Sequence, residues 1–332
     1  EKKKKINSIY FTEPPTEENL MQNTLWPEAQ KLYGHGYEIY SLATRKDGIV
    51  LASSCKATTP EHAAIILWYL KILFLIMILS TSARVKKNLC FAYRNAKTWL
   101  QIQKLIAHQL TVTQMSFSPD GKQLLSVSRD RRWCLFGVKE DGKTYELLAA
   151  SDVKNNLHSR VIWCCAWTID SLRFATGSRD GKIGIWTPIK SDDGLNVTVT
   201  SVANLELSKE CVTALAFAPI LKNGFHILAI GLEKGIILLY RYLDSILENL
   251  NIIFQGNLGH DLAVKRLVFR PKVGRTGDKK SDSDKNVLQL ASCGSDHIVK
   301  IFDLFFFHRS RVFIENTLHP PTPRQKNKLI RR

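Results

Sequence analysis

The chain has 332 residues, 47 of them Lys or Arg against 30 Asp or Glu, for a formal net charge of +17. Its 45% hydrophobic and 23% charged content is globular, which excludes wholesale disorder and supplies enough chain for one large or two ordinary domains. Seven cysteines, an odd number without a CxxC pair, argue against a disulfide framework and give no zinc-ligand spacing; they read as reduced, buried thiols of an intracellular protein.

In chain order, residues 1–9 form a basic, disordered start with Lys2 to Lys5. The chain opens on Glu1 and carries no signal peptide, so it reads as a fragment or processed product. From 10 to 303 short strands of period two recur as a unit. The first copy begins at Gly34-His35, continues through 51–53 and closes at 65–68. The second has His108 before a strand at 112–117, then 124–130 and 133–136. The third has His158 before 161–167, then 174–180 and 183–186. A degenerate fourth runs through 212–217, 227–231 and 236–240, with Glu233 where the others carry Asp. The fifth has His260 before 264–269, then 290–296 and 299–302. No long helix-period segment interrupts them, so the fold class is all-β. Closing aromatics at Trp68, Phe136, Trp186, Tyr240 and Phe302 are 68, 50, 54 and 62 residues apart. A propeller blade repeats every 40–45 residues or so, and loop insertions are therefore required.

One polar constellation recurs inside the units: His158, Thr176, Asp180 and Trp186 in the third, His108, Ser126 and Asp130 in the second, and His260, Ser292 and Asp296 in the fifth. Phe136 and Phe302 replace the tryptophan. A His/Thr/Asp set also has the composition of a nucleophilic site. Its recurrence argues for structure instead, so no catalytic residue, metal or cofactor is assigned. Residues 137–144 match the phosphate-loop pattern G-x-x-x-x-G-K-[ST], but a second short strand follows where that loop needs a helix, and the segment reads as a hairpin. Arg129, Arg131, Arg132, Arg179 and Lys182 lie beside the turns of the units, with Lys300 near an equivalent position. They form a candidate partner-binding face for phosphate or acidic protein, set against the alternative of scattered solvated charge.

The recurring upstream His (Gly34-His35 in the first copy), alternating strands, Asp-led turns and closing aromatics resemble the WD-repeat family of β-propellers. The resemblance implies that Asp180 accepts from the His158 imidazole, whose other nitrogen faces Thr176, which in turn reaches the Trp186 indole N–H. More specific stretches, at 12–18, 25–38, 62–68, 108–115 and 126–131, resemble the WD-repeat subunits of the Elongator complex. That resemblance covers 10–68 and 95–303. It implies a protein with two seven-bladed propellers, of which this chain holds about five recognisable blades of the second. Implied with it is a scaffold role, without turnover of its own, in an assembly that modifies wobble uridines of tRNA. The implied partners are the catalytic and large scaffold subunits, tRNA contact being indirect or weak, with no membrane. The implied location is the cytoplasm, with the nucleus as a second compartment. A generic WD-repeat adaptor and a propeller anchored in a membrane through 72–79 are the alternatives.

Three segments fall outside the unit. Residues 69–94 interrupt the first copy; without them the interval of 68 shortens to 42, a normal blade. Their apolar run at 72–79 is open to three readings: a membrane-inserted stretch, a hairpin insertion, or a translated non-coding segment such as a retained intron. Residues 272–286 form a charged loop within the last unit. Residues 304–332 form a basic, disordered tail, either a solvated terminus or a targeting or RNA-binding arm. The start, the insertion and the tail carry +3, +5 and +6, leaving +3 on the other 268 residues. The repeat-bearing body is close to neutral, and net charge makes no case for nucleic acid.

Overall fold

The computed structural model describes residues 30–78, 91–152, 157–191, 197–207, 210–221, 224–243, 245–274, 287–307 and 311–316, with the backbone alone for 71–78, 91–98, 306–307 and 311–316. Chain contacts divide it into two units, one of His35–Leu70 with Leu100–Arg332 and one of Glu1–Gly34 with Lys71–Trp99. In the second unit Lys71–Ile78 and Phe91–Trp99 are extended, and the Gln30 side-chain amide exchanges two hydrogen bonds with the Trp99 backbone, at 2.8 and 3.1 Å.

Twenty strands form five four-stranded antiparallel sheets among the described residues, each from strands consecutive in sequence. Blade 1 is β1 (Ile39–Thr44), β2 (Val50–Cys55), β3 (Ile65–Ile78) and β4 (Phe91–Leu105). Blade 2 is β5 (Val112–Phe117), β6 (Gln123–Ser128), β7 (Trp133–Val138) and β8 (Tyr145–Ala150). Blade 3 is β9 (Ile162–Trp167), β10 (Phe174–Ser178), β11 (Lys182–Lys190) and β12 (Val197–Glu206). Blade 4 is β13 (Val212–Phe217), β14 (His226–Leu232), β15 (Ile237–Leu243) and β16 (Ile246–Phe254). Blade 5 is β17 (Val264–Phe269), β18 (Val287–Gly294), β19 (Val299–Phe307) and β20 (Arg311–Asn316). This is the all-β, WD-type partial propeller, with five blades, that the repeats predict.

Strands buried on both faces read as near-continuous apolar runs, and the middle strands of each blade do: Leu124-Leu125-Ser126-Val127 and Ile227-Leu228-Ala229-Ile230 are fully or almost fully buried. A hydrophobic cluster fills each junction between consecutive blades, from Val50, Leu67, Met115 and Phe136 between blades 1 and 2 to Ile237, Leu239, Leu290 and Phe302 between blades 4 and 5. The innermost strands pack in series, β1 beside β5, β5 beside β9, β9 beside β13 and β13 beside β17, with no comparable packing of β17 back on β1 among the described residues. All five innermost strands carry a β-bulge at the same place, leaving Tyr40, Thr113, Trp163, Thr213 and Lys265 unpaired in the ladder. A bulge re-aims its extra residue, and a device repeated in every blade re-aims five.

The series ends on apolar faces. Val299 and Ile301 in blade 5 occupy the positions of Ile183 and Ile185 in blade 3, which are 0% exposed, yet stand 66% and 39% exposed. At the other end Ile39 and Leu42 are 50% and 58% exposed, where Val212 and Leu215 are buried against blade 3.

One boundary differs from the sequence reading. The last blade does not stop at 303: β19 continues to Phe307 and β20 pairs with it from Phe302↔Asn316 to Phe307↔Arg311, because 304–307 keeps the extended apolar pattern of its strand. The backbone of 69–78 and 91–94 is extended within β3 and β4. Residues 1–9, 79–90 and 317–332 lie outside the described residues. No helix among the described residues is long and apolar enough to cross a membrane.

Candidate functional site

The recurring constellation assembles where the units place it. In blade 3 His158 Nε2 lies 2.7 Å from Thr176 Oγ1, which accepts the Trp186 indole N–H at 2.8 Å. The His158–Asp180 contact is looser, with Nδ1 3.7 Å from Oδ1; the Ser159 backbone N–H donates to the other carboxylate oxygen at 2.7 Å. Burial raises the Asp180 carboxyl, but the His158 contact and donors from Lys182 and Ser159 win and hold it far below its ordinary range. In blade 2 His108 sits 3.0 Å from Asp130 and 2.8 Å from Ser126 Oγ. In blade 5 His260 sits 2.9 Å from Asp296 and 2.7 Å from Ser292. All three imidazoles are fully buried, and each set ties the residue ahead of the innermost strand to the second strand and the turn after it.

Phe136 supplies no indole N–H to Ser126, which leaves the hydroxyl oxygen able to accept from a protonated imidazole. Burial opposes that charge, while the Cys134 sulfur, 4.0 Å away, and the Asp130 carboxylate favour it, and His108 is pushed up to about 9.

Blade 1 holds a further set that the recurring His, hydroxyl and Asp pattern of the sequence did not include. His35 Nε2 lies 2.8 Å from Ser53 Oγ, and the Trp68 indole donates to the same oxygen at 2.7 Å. Its signal is a spacing: His35–Ser53, His108–Ser126 and His158–Thr176 are each 18 residues apart. Ala57 occupies the aspartate position. In blade 5 the His–Ser and His–Asp separations are 32 and 36, against 18 and 22 in blade 2. Both exceed blade 2 by the same 14 residues, the length of 272–285.

Turn hydrogen bonds correct the reading of blade 4. The backbone N–H groups of Arg129, Arg179, Glu233 and Ser295 make the equivalent bonds, to Thr111, Val161, Cys211 and Ala263 carbonyls at 2.9 to 3.0 Å. Glu233 therefore aligns with the arginines, and Lys234, ion-paired with Glu210, takes the aspartate position. The next residue in each turn, Arg131, Gly181, Gly235 or His297, is in the left-handed region, with φ between 61 and 82°. At Gly235 a Cβ would lie 1.9 Å from the His260 backbone oxygen, so only glycine fits.

The candidate basic face is divided. Arg129, Arg131 and Arg179 are exposed; Lys182 is half-buried. Arg132 is also half-buried and donates from Nε to the Ser151 carbonyl at 2.8 Å. Lys300 is buried and donates to the carbonyls of Asn257 and Gly259, two positions further along than Lys182 and off the face. The phosphate-loop lookalike is the β7–β8 hairpin: Lys139 N–H donates to Thr144 O, Gly142 has φ 67°, and Asp141 accepts from the Thr144 hydroxyl at 2.6 Å. Cys55, Cys134, Cys164, Cys165 and Cys211 are free and buried, and burial pushes Cys165 up to about 12, which keeps it protonated and inert. No group of three or more His, Cys, Asp or Glu among the described residues is placed to hold a metal ion.

The model of the WD domain, G-beta repeat, matches residues 99–136 and 154–187, which carry the His108 and His158 sets. Fold, networks and match define a WD-repeat β-propeller protein. The chain is 45% identical over 302 residues to Elongator complex protein 2 of Drosophila melanogaster, covering 89% of this chain and 33% of that protein. It is 39% identical over 304 residues to the Homo sapiens protein of the same name, and 33% identical over 306 to that of Arabidopsis thaliana, covering 34% and 32% of them. The chain is thus homologous over most of its length to Elongator complex protein 2, and spans about a third of the relatives it matches.

Proposed function

We propose that this chain acts as a non-catalytic scaffold of an Elongator-type assembly, supporting wobble-uridine modification of tRNA by holding the catalytic and large scaffold subunits. The observation that carries this reading is the homology to Elongator complex protein 2 over 89% of the chain. The geometry supports it, since the His, Ser, Thr and Asp groups of the repeats are spent on one another inside the blades while Arg129, Arg131 and Arg179 stand exposed at the turns. Contact with tRNA is indirect or weak in this reading, because the repeat-bearing body carries little net charge. The location is the cytoplasm, with the nucleus as a second compartment.

Copurification of the tagged chain followed by mass spectrometry tests the proposal. Recovery of both Elongator subunits is expected; recovery of neither would make the chain a generic WD-repeat adaptor. Arg129→Glu combined with Arg179→Glu should reduce recovery several-fold with unchanged thermal unfolding. Undiminished recovery removes the arginines from the interface.

A further inference from the structure

The bulges of the five innermost strands converge. Tyr40, Thr113, Trp163, Thr213 and Lys265 line a cavity of about 450 Å³, together with Arg179 and Glu233 from the turns after the second strands of blades 3 and 4. Its walls differ in kind. Trp163 lies beside Cys211, whose thiol also contacts Glu233; burial and that carboxylate keep the thiol protonated. Cationic side chains line it as well, Lys265 and Arg266 from blade 5 and Arg179 from blade 3, the last near enough to act on the Cys211 thiol. None of these three cations forms an ion pair with another described residue.

We propose that this cavity is a binding site for an acidic peptide segment carrying an apolar side chain next to a carboxylate. Three unpaired cations against one acid leave a positive excess for a carboxylate, which Arg and Lys hold through charge-assisted hydrogen bonds. The Trp163 and Tyr40 rings offer flat apolar surface beside it, and the Glu233 carboxylate can accept a peptide N–H. A nucleic-acid backbone fits less well, because its continuous phosphates would be driven against Glu233. The inference goes beyond the scaffold reading and does not depend on it.

Fluorescence anisotropy with the 332-residue chain tests the site. The probes are a fluorescein-labelled octapeptide alternating Glu and Phe, the same peptide with Gln for Glu, and an eight-nucleotide oligouridine. The Glu–Phe peptide should bind and the Gln peptide should bind about tenfold more weakly. Lys265→Glu and Arg266→Glu should each weaken the Glu–Phe peptide by about tenfold, and Lys139→Glu, on the outer hairpin, should leave it unchanged. Glu233→Gln should strengthen binding, a gain that misfolding cannot produce. Peptide-induced quenching should disappear in Trp163→Phe. No binding, or binding that survives both charge reversals, overturns the proposal, as does oligouridine binding more tightly than the peptide and lost in the same variants. Copurification of Elongator subunits is read separately, so either proposal can fail while the other stands.

Discussion

Ile185 and Ile301 hold the same place in the repeat, opposite Ala175 and Ala291 on the second strands of their blades. Ile185 is sealed between blades 3 and 4, while Ile301 is 39% exposed on the outer face of blade 5. The same contrast separates Ile183 from Val299, and Val212 from Ile39. Each blade is a sheet with two apolar faces, and a sheet of this kind is stable only when both are covered. The middle blades meet that condition inside this chain, and the outer faces of blades 1 and 5 do not. Burial here is decided by the neighbouring blade, not by the residue.

The largest test of this contrast is at the turns. Gly235→Ala should destabilise the protein by about 4 kcal/mol in urea unfolding, since its left-handed backbone and the His260 carbonyl both reject a Cβ. His297→Gly, at the matching turn of blade 5, should be neutral or stabilising by up to about 1 kcal/mol, because the exposed side chain there is held at φ 61°. Next, Ile185→Ala should cost about 3 kcal/mol and Ile301→Ala about 1 kcal/mol or less. Equal costs would mean that the outer face of blade 5 is covered in solution.

A smaller difference separates the networks. Thr176→Val strands both the His158 nitrogen and the Trp186 N–H and should cost about 2 kcal/mol. Ser292→Ala, with Phe302 in place of tryptophan, strands only His260 and should cost about 1 kcal/mol. A further difference is in pH. The folded His108 pKa of about 9 exceeds its ordinary 6.5, so its pairing with Asp130 stabilises fully below pH 6.5, and that contribution is lost as pH rises through 9. Unfolding midpoints of His108→Gln should lack this decline; a persisting slope would assign it to another group.

The number of blades and their polar networks were legible because both are periodic. The separation of 18 residues between His and hydroxyl survives in three blades, and a single inserted length explains the fifth. Blade 4 was misread by one position because neither Glu233 nor Lys234 pairs with a histidine, so only the turn hydrogen bonds reveal the alignment. Lys300 looked like a surface cation because burial depends on the carbonyls of Asn257 and Gly259, 43 and 41 residues away. The central cavity was invisible for a related reason. Each blade contributes one bulged residue, and Tyr, Thr, Trp, Thr and Lys have no shared chemistry to betray a shared position.

The 14 extra residues between the first two strands of blade 5 leave its His260 set as tight as that of blade 2, with ring-to-carboxylate distances of 2.9 and 3.0 Å. The connection is therefore decoupled from the hydrogen bonds that flank it, and its length is free to drift without cost to the blade. Because loop closure grows only logarithmically with length, a purification tag, a fluorescent domain or a protease site added to this connection should cost the blade little. The same freedom makes this connection a place where a lineage can add a module to the propeller without relearning how to fold it.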